Sequence, residues 1–301
     1  MPGAPLDADG VFGPSTRAAV EAFQHHRGLR VDGVCGLQTW NTLVEAGFRL
    51  GERFLYRATP MHRGDDVAEL QQRLCSLGFD TGRVDGIFGD GTSRALADFQ
   101  RNAGLPIDAI VGVATLRELR RLESRHTAPQ FVSSVRARAE LRLATPSLSG
   151  RHVAVGESGG LGSVTAALRR RLLPSGARVT ELHHPDDSIQ ANEANELFVD
   201  VFVGLRLNPS GSSCTTSYYA GYRDQSQGGK LLAELVQRAV PNALHIDDGG
   251  TFGMSLPILR ETRMPSVVVE VGPASMVVER AALLAGALST ALAEWVDASW
   301  D

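Results

Sequence analysis

The sequence lacks the features that would place it in a membrane or on a nucleic acid. No apolar run approaches the roughly 20 residues that a membrane helix needs. Residues 1–10 contain neither the basic nor the apolar stretch of a signal peptide. The net charge of -4 gives no electrostatic footprint for nucleic acid. As written, the chain is expected to stay in the cytoplasm, with no membrane span and no nucleic-acid partner.

Cysteine is also scarce. The three cysteines, Cys35, Cys75 and Cys214, are odd in number, and their wide spacing resembles neither a disulfide framework nor a zinc knuckle. We expect them to be buried, reduced thiols. The 301 residues, 43% of them hydrophobic and 21% charged, have an ordinary globular composition and are enough for two or more domains.

An internal repeat with an offset of 76 residues occupies the first part of the chain. DGVFG at residues 9–13 recurs as DGIFG at residues 85–89. Further matches at this offset are Thr16 with Thr92, Phe23-Gln24 with Phe99-Gln100, Gly28-Leu29 with Gly104-Leu105, Asp32 with Asp108, Gly36 with Gly112, Thr39 with Thr115, and Leu43 with Leu119. Each unit predicts short helices joined by Asp-Gly turns.

The second unit opens with a helix that the first unit lacks. Its apolar side consists of Val67, Leu70, Leu74 and Leu77. Without such a helix, Val20 and Phe23 would be exposed. Either the gene start is mis-called, or the segment at 48–56 docks over these residues. We expect the repeats to form one compact helical lobe in which Phe23 and Phe99 occupy equivalent core positions.

These motifs carry a resemblance to a known domain. GDDVAELQQRL at 64–74, VDGIFG at 84–89, and the Phe-Gln and Gly-Leu pairs that follow are similar to the peptidoglycan-binding-like three-helix domain. The resemblance covers about residues 5–122. It implies binding to cell-wall glycopeptide, although the motif residues are mostly scaffold. The predicted domains are a first repeat at 1–57, lacking its first helix, and a second repeat at 58–122.

The second half of the chain alternates strands and helices. A linker is predicted at 123–150, where turn-rich segments flank a charged, helix-like stretch at 135–143. The domain at 151–301 predicts strands at 152–155, 178–183, 200–207, 217–222 and 266–271, and helices at 161–173, 188–197, 227–240 and 276–295. The fold class is therefore an α/β domain with a mostly parallel sheet, preceded by an all-α tandem-repeat domain.

The strand at 266–271 carries one acidic residue, Glu270. A carboxylate among valines is costly unless it is paired, protonated or bound to a metal, or reaches solvent at the end of the strand. The segment LRETRMPSVVVEVG at 259–272 resembles the signature near the end of zinc-dependent N-acetylmuramoyl-L-alanine amidases of the AmiC/CwlV type. In that family the glutamate of this strand is catalytic. The resemblance implies an amidase-like fold.

The same resemblance implies three zinc ligands, which this sequence does not supply. The family has a histidine in DPGHGG, a glutamate opening the first helix, and a histidine in SIHAN. Ser158 stands at the first place and Arg206 at the third, and the loop that supplies the glutamate is missing. Serine is a poor zinc ligand and guanidinium is not one. We expect no cofactor, Glu270 as a vestigial general base, and Ser158 and Arg206 as binding residues at the former ligand positions.

Other residues have ligand chemistry, but they are expected to be solvated polar residues of loops. They are His183, His184, Asp186, Asp187, His245, Asp247 and Asp248. Neighbouring histidines at the end of a strand point to opposite faces. The glycine-rich stretch at 156–162 fits neither the P-loop nor the dinucleotide spacing. Ser158 matches the pattern of a nucleophile elbow, but no histidine and acid are placed beside it.

With the metal gone, an ion pair is expected in its place. Arg206 and Glu270 end neighbouring strands, and burying either charge alone would be costly. We therefore expect a direct pair between these two side chains, with Ser158 donating a further hydrogen bond.

Three functions remain open at this point. The first is a degenerate amidase, similar to CwlM-type proteins, which binds peptidoglycan or its precursor, or an enzyme of that pathway, and regulates cell-wall synthesis or remodelling. The second is an active zinc amidase that hydrolyses the MurNAc–L-Ala bond with Glu270 as general base. The third is a passive wall-attachment module, against which the absent secretion signal counts.

Overall fold

The computed structural model describes residues 10–123, 147–208, 211–221 and 224–298 of the chain. The chain divides into two compact units, residues 1–136 and 137–301. Nearly all of the predicted linker, including the helix-like stretch at 135–143, lies outside the described residues. Within the described ranges, no helix has both the length and the apolar character needed to cross a membrane.

The described part of the first unit is helical. Its helices are α1 (Pro14–His26), α2 (Leu37–Gly47), α3 (Asp65–Ser76), α4 (Asp90–Asn102) and α5 (Val113–Glu123). At the offset of 76 residues, α1 corresponds to α4 and α2 corresponds to α5. In residues 10–123, α3 precedes α4, and no helix precedes α1 in the same way. The predicted asymmetry between the two repeats is therefore present in the described residues.

One apolar core fills the second repeat. Leu70 and Leu74 of α3 pack with Phe99 of α4 and Leu119 of α5, and all four are buried. Leu55 joins the same cluster, and its carbonyl accepts a hydrogen bond of 2.8 Å from Val111 N. The segment around Leu55 therefore packs on the second repeat. The alternative in which it docks over the first repeat is not what the structure shows.

Phe23 and Phe99 do not have equivalent burial, so this expectation is wrong. Phe99 is 1% exposed, whereas Phe23 is only half-buried and lies outside the core cluster. The physical reason is α3, which covers Phe99 and has no counterpart over Phe23 in the described residues. Sequence identity at the two positions does not give equal packing, because the covering helix differs.

A buried glutamine secures each of three described turns in an arrangement that we call the glutamine clasp. Gln71 Nε2 donates to Asp85 Oδ1, Ile87 O and Thr92 Oγ1 at 2.9, 3.1 and 3.0 Å. Its Oε1 accepts from Gly86 N at 2.8 Å. The same clasp recurs at Gln24, with Asp32, Gly33, Val34 and Thr39, and at Gln100, with Asp108, Ala109, Ile110 and Thr115. The Phe-Gln motif of the sequence thus has a defined structural role.

The second unit is built on a six-stranded sheet. Its strands are β1 (His152–Glu157), β2 (Arg178–His183), β3 (Val201–Leu207), β4 (Ser213–Tyr219), β5 (Asp247–Met254) and β6 (Ser266–Val271), in the order β2-β1-β3-β6-β4-β5. β4 runs antiparallel to β6, and the other neighbours are parallel. The predicted, mostly parallel α/β sheet is confirmed.

Helices cover both faces of this sheet. They are α6 (Gly162–Leu172), α7 (Asp187–Glu196), α8 (Gln227–Leu244), α9 (Pro257–Glu261), α10 (Ala274–Glu279) and α11 (Ala281–Asp297). Val155, Val203 and Val269 face a core formed with α6, α8 and α11. Phe202 and Val268 face a second core formed with α7 and α9. Two buried faces explain why the central strands read as continuous apolar runs.

Three elements differ from their predicted form. β4 begins and ends earlier than the predicted strand at 217–222, and the predicted closing helix is divided at Arg280 into α10 and α11. β5 was not predicted, because DDGGTFGM has two acids and three glycines and lacks an apolar alternation. It lies at the edge of the sheet, where pairing with β4 holds it.

None of the three cysteines, all of which the structure describes, forms a disulfide. Cys75 and Cys214 are buried, as expected, while Cys35 is only half-buried. Burial raises the pKa of the Cys214 thiol to about 12. This thiol is therefore protonated and unreactive near neutral pH.

Candidate functional site

The predicted site residues lie at the carboxyl ends of three adjacent parallel strands. Ser158 follows β1, Arg206 is near the end of β3, and Glu270 is near the end of β6. Arg206 and Glu270 are direct partners in the β3–β6 register. The carboxyl edge of such a sheet is where α/β proteins commonly bind ligands. The strand alignment thus brings the three predicted positions to one edge of the sheet.

The ion pair of Arg206 is with Asp187, so the expected pair with Glu270 is wrong. Arg206 Nη2 donates to Asp187 Oδ1 and Oδ2, each at 2.5 Å. Asp187 is the first residue of α7, which follows β2 and brings its carboxylate over the end of β3. Both side chains are partly exposed, 28% for Arg206 and 21% for Asp187. From the sequence, Asp187 was expected to be a solvated polar residue of a loop. The predicted alternation of strands and helices does not indicate its pairing with Arg206.

The space beside this pair is small. A cavity of ≈ 10 Å³ is lined by Gly156, Ser158, Asp187, Gln190, Phe202 and Arg206, among others. Such a volume holds about one water molecule. A Cβ at Gly156 would overlap Gln190 Oε1 and would lie 2.5 Å from Phe202 Cζ. A larger residue at this position would therefore displace the side chains of Gln190 on α7 and Phe202 on β3.

Glu157 anchors the shortened loop after β1, although it is not among the predicted site residues. Its Oε2 accepts from Gly159 N at 2.8 Å and from Leu161 N at 3.0 Å, and its Oε1 lies 2.8 Å from His183 Nδ1. Burial alone would raise the pKa of Glu157, but the hydrogen bonds from Leu161, His183 and Gly159 outweigh it and hold the pKa below its usual range. The sequence feature that could have identified Glu157 is an acidic residue at the end of an apolar strand, the same feature that singled out Glu270.

The polar residues considered for a rebuilt metal site lie apart. His183 ends β2 and Asp247 begins β5, and these strands form opposite edges of the sheet. His184 Nδ1 accepts from Asp186 N at 2.9 Å, and Asp248 Oδ1 accepts from Gly250 N at 2.9 Å. In the part of the chain that the structure describes, no group of three or more His, Cys, Asp or Glu side chains could hold a metal ion.

Each of the two units matches a known protein family. Residues 155–296 match the model of the N-acetylmuramoyl-L-alanine amidase family, and residues 3–43 and 63–119 match that of a peptidoglycan binding domain. The chain is 34% identical over 318 aligned residues to N-acetylmuramoyl-L-alanine amidase CwlM of Mycobacterium tuberculosis, an alignment that covers 95% of this chain and 78% of that protein. The chain belongs to the N-acetylmuramoyl-L-alanine amidase family. The resemblance stated from the sequence is thereby confirmed.

Two further proteins match a part of the chain. The spore cortex-lytic enzyme of Bacillus cereus is 54% identical over 56 residues, which are 19% of the present amidase-family chain and 22% of that enzyme. The crystal structure of the amidase Ami1 from Mycobacterium smegmatis aligns with a TM-score of 0.43 and 17% identity, and covers 50% of this chain and 98% of that one.

A double-mutant cycle on Arg206 and Asp187 tests the ion pair of the amidase domain. We expect Arg206→Ala to lower the free energy of unfolding by about 1–2 kcal/mol, because the pair is neither fully buried nor fully exposed. The coupling energy with Asp187→Ala, measured by chemical denaturation, is expected to be about 1 kcal/mol. The exposed pair Arg238–Glu294 serves as the control and should couple by less than about 0.5 kcal/mol. Equal coupling in the two pairs would contradict the structural role of Arg206–Asp187.

Glu157 gives the amidase domain a pH-dependent part of its stability. Because its pKa is lowered in the folded state, its contribution is present above the ordinary glutamate pKa of about 4.3 and is lost as the pH falls through the lower, folded value. We expect Glu157→Gln to lower the melting temperature at pH 7, and the difference in melting temperature from the parent chain to narrow only as the pH falls below about 4.3. A constant difference from pH 7 to the acid limit of folding would refute this role.

Proposed function

We propose that this chain is a member of the amidase family that has lost its zinc ligands, binds peptidoglycan or its precursor through its repeats, and regulates cell-wall synthesis or remodelling. Support for the loss of zinc comes chiefly from one observation, the ion pair between Arg206 and Asp187. The family resemblance puts a zinc-binding histidine at the position of Arg206. A cation tied to the neighbouring carboxylate stands there instead.

Zinc does not fit this set of side chains. A catalytic zinc site needs three protein ligands and an open position. Arg206 repels a cation, Asp187 already binds Arg206, and the Ser158 hydroxyl is a weak ligand. The Glu157 carboxylate, which lies at the start of the shortened loop, accepts two backbone N–H groups and contacts His183. Glu270, the residue at the family's catalytic position, would then be vestigial.

The peptidoglycan-binding repeats support the binding half of the proposal. The clasped turns and the packed core of the second repeat preserve the scaffold of that domain. A family member that keeps its binding domain while losing its metal site can still bring the wall polymer or its precursor to an enzyme of peptidoglycan synthesis. Regulation through such a contact needs no hydrolysis.

Metal content and peptide release, measured on the same preparation, test the loss of activity. We expect less than stoichiometric zinc after dialysis and no release of peptide stems from peptidoglycan, together with sedimentation of the chain with insoluble peptidoglycan. A zinc-bound family member serves as the positive control. Stoichiometric zinc accompanied by stem release would establish the alternative, an active amidase with Glu270 as general base.

The Arg206→His variant sharpens this test. Restoring one histidine is expected to give neither zinc retention nor hydrolysis, because the two other ligand positions are still unfilled. The readout is zinc content after dialysis, next to the same assay of stem release. Recovery of both by this single change would mean that the remaining ligands are present in the chain, and the proposal would fail.

A further inference from the structure

A buried histidine lies at the amino end of the sheet, opposite to the carboxyl edge that carries the candidate site. His152 is the first residue of β1 and is 7% exposed. Its Nε2 is 2.8 Å from Thr180 Oγ1 of β2, the strand that forms one edge of the sheet. The imidazole ring therefore joins β1 to the edge strand through a side-chain hydrogen bond.

The surroundings of this ring suit a neutral imidazole and oppose a charged one. The Nδ1 atom of His152 is buried and makes no hydrogen bond with any described group. An imidazolium ion carries a proton on both ring nitrogens. Protonation would therefore leave a buried N–H group without an acceptor, and it would add a positive charge beside Arg178, the register partner of His152 on β2.

Two charged groups face His152 among the described residues, Arg178 from β2 and Asp200 from the segment between α7 and β3. The carboxylate of Asp200 is already engaged, because its Oδ2 accepts from His152 N at 2.7 Å and its Oδ1 lies 3.5 Å from Arg151 Nη1. Burial and the charge of Arg178 lower the pKa of His152, and the opposite effects of Asp200 and of the Leu197 carbonyl do not compensate. The ring is therefore neutral near pH 7.

The strand β2 connects this ring to the candidate site. The last residue of β2 is His183, whose Nδ1 is 2.8 Å from Oε1 of Glu157, the residue that anchors the loop after β1. The helix α7 follows β2 and begins with Asp187, the partner of Arg206. One edge strand thus carries the contact with His152 at its amino end and leads, at its other end, to two groups that shape the site.

We propose that His152 is an acid-sensitive lock, which holds β2 against β1 while its ring is neutral and releases this edge strand when the ring is protonated. The lock is closed above the ordinary histidine pKa of about 6.5. Because the pKa of His152 is lower in the folded chain, the opened segment binds the proton more tightly, and stability is lost as the pH falls from about 6.5 toward the folded value. The contribution of Glu157 is lost only below about pH 4.3, so the two effects occupy different pH ranges.

Amide hydrogen exchange of the full chain between pH 7.5 and pH 5.5 tests this lock. After correction for intrinsic exchange rates, we expect the protection factors of the β2 amides to fall by up to about tenfold per pH unit below 6.5. The strand β6, in the interior of the sheet, is the internal comparison and should lose less protection. Unchanged protection in β2 would overturn the proposal. An equal fall in β2 and β6 would also overturn it, because the whole unit would then lose stability together.

Three variants assign the effect to the histidine. His152→Gln keeps a group that can bond Thr180 but cannot be protonated in this range, and it should abolish the fall in protection. Arg178→Gln leaves the buried ring in place and removes the neighbouring charge, so it should reduce the fall. His245→Gln, at an exposed histidine of the same unit, is the matched control and should keep the full fall. A fall that persists in His152→Gln would overturn the lock. If that variant does not fold, a fall in Arg178→Gln equal to that of the parent chain would overturn it instead.

Discussion

Replacing Phe99 with alanine is expected to lower the free energy of unfolding of the first unit by about 3–5 kcal/mol, the usual range for an emptied aromatic core position. The phenyl ring is 1% exposed and packs edge-on against Phe79, with ring centroids 5.6 Å apart. Denaturant unfolding of the full chain, followed by the methyl NMR signals of the first unit, measures this loss.

Phe23→Ala is the matched comparison, because Phe23 occupies the same position of the repeat. Phe23 is half-buried, so its removal frees less apolar surface and leaves no closed cavity. We expect a cost below about 1.5 kcal/mol. A cost for Phe99 under about 1 kcal/mol would show that this residue is not in the core. Equal, large costs at both positions would show that the first repeat is covered in solution.

The second large effect is expected at the clasp of Gln71. This residue is 1% exposed, and its amide makes hydrogen bonds with Asp85, Gly86, Ile87 and Thr92. Gln71→Leu keeps a similar volume but leaves buried polar groups without their partner, at about 1–3 kcal/mol for each group that water cannot reach. We expect a total loss of about 2–4 kcal/mol in the same unfolding experiment.

Gln72, the half-buried neighbour of Gln71, provides the control for this change. Gln72→Leu makes the same replacement at a neighbouring position of the same helix and leaves the clasp intact. It should lower the free energy of unfolding by less than about 1 kcal/mol. If the two leucine variants were equally stable, the clasp would contribute little, and the recurrence of this glutamine in three turns would need another explanation.

Most elements of the fold could be read from the sequence, because their patterns are local. β1, β3 and β6 are continuous apolar runs, and the helices of the repeats have clear apolar faces. The missed strand β5 has no such pattern, since its position depends on pairing with β4. A strand could be predicted where its burial requires a run of apolar residues. It could not be predicted where pairing with a neighbouring strand determines its conformation.

The candidate site was predictable only in part. Strand order and register place Arg206 beside Glu270, as the family resemblance implies. The choice of Asp187 as the partner of Arg206 depends on where α7 begins in space, which spacing along the chain does not give. The anchoring role of Glu157 likewise depends on the direction of the two amides at Gly159 and Leu161.

The clasps also link the helices of the second repeat in series. α4 begins in the turn held by Gln71 of α3, and it carries Gln100, which holds the turn before α5. Loss of α3 therefore loosens the start of α4, and loss of α4 releases α5, as in repeat arrays whose stability depends on nearest neighbours. We therefore expect the amides of these three helices to exchange hydrogen together, as one cooperative segment. We expect α1, whose first turn no described glutamine holds, to open separately and first.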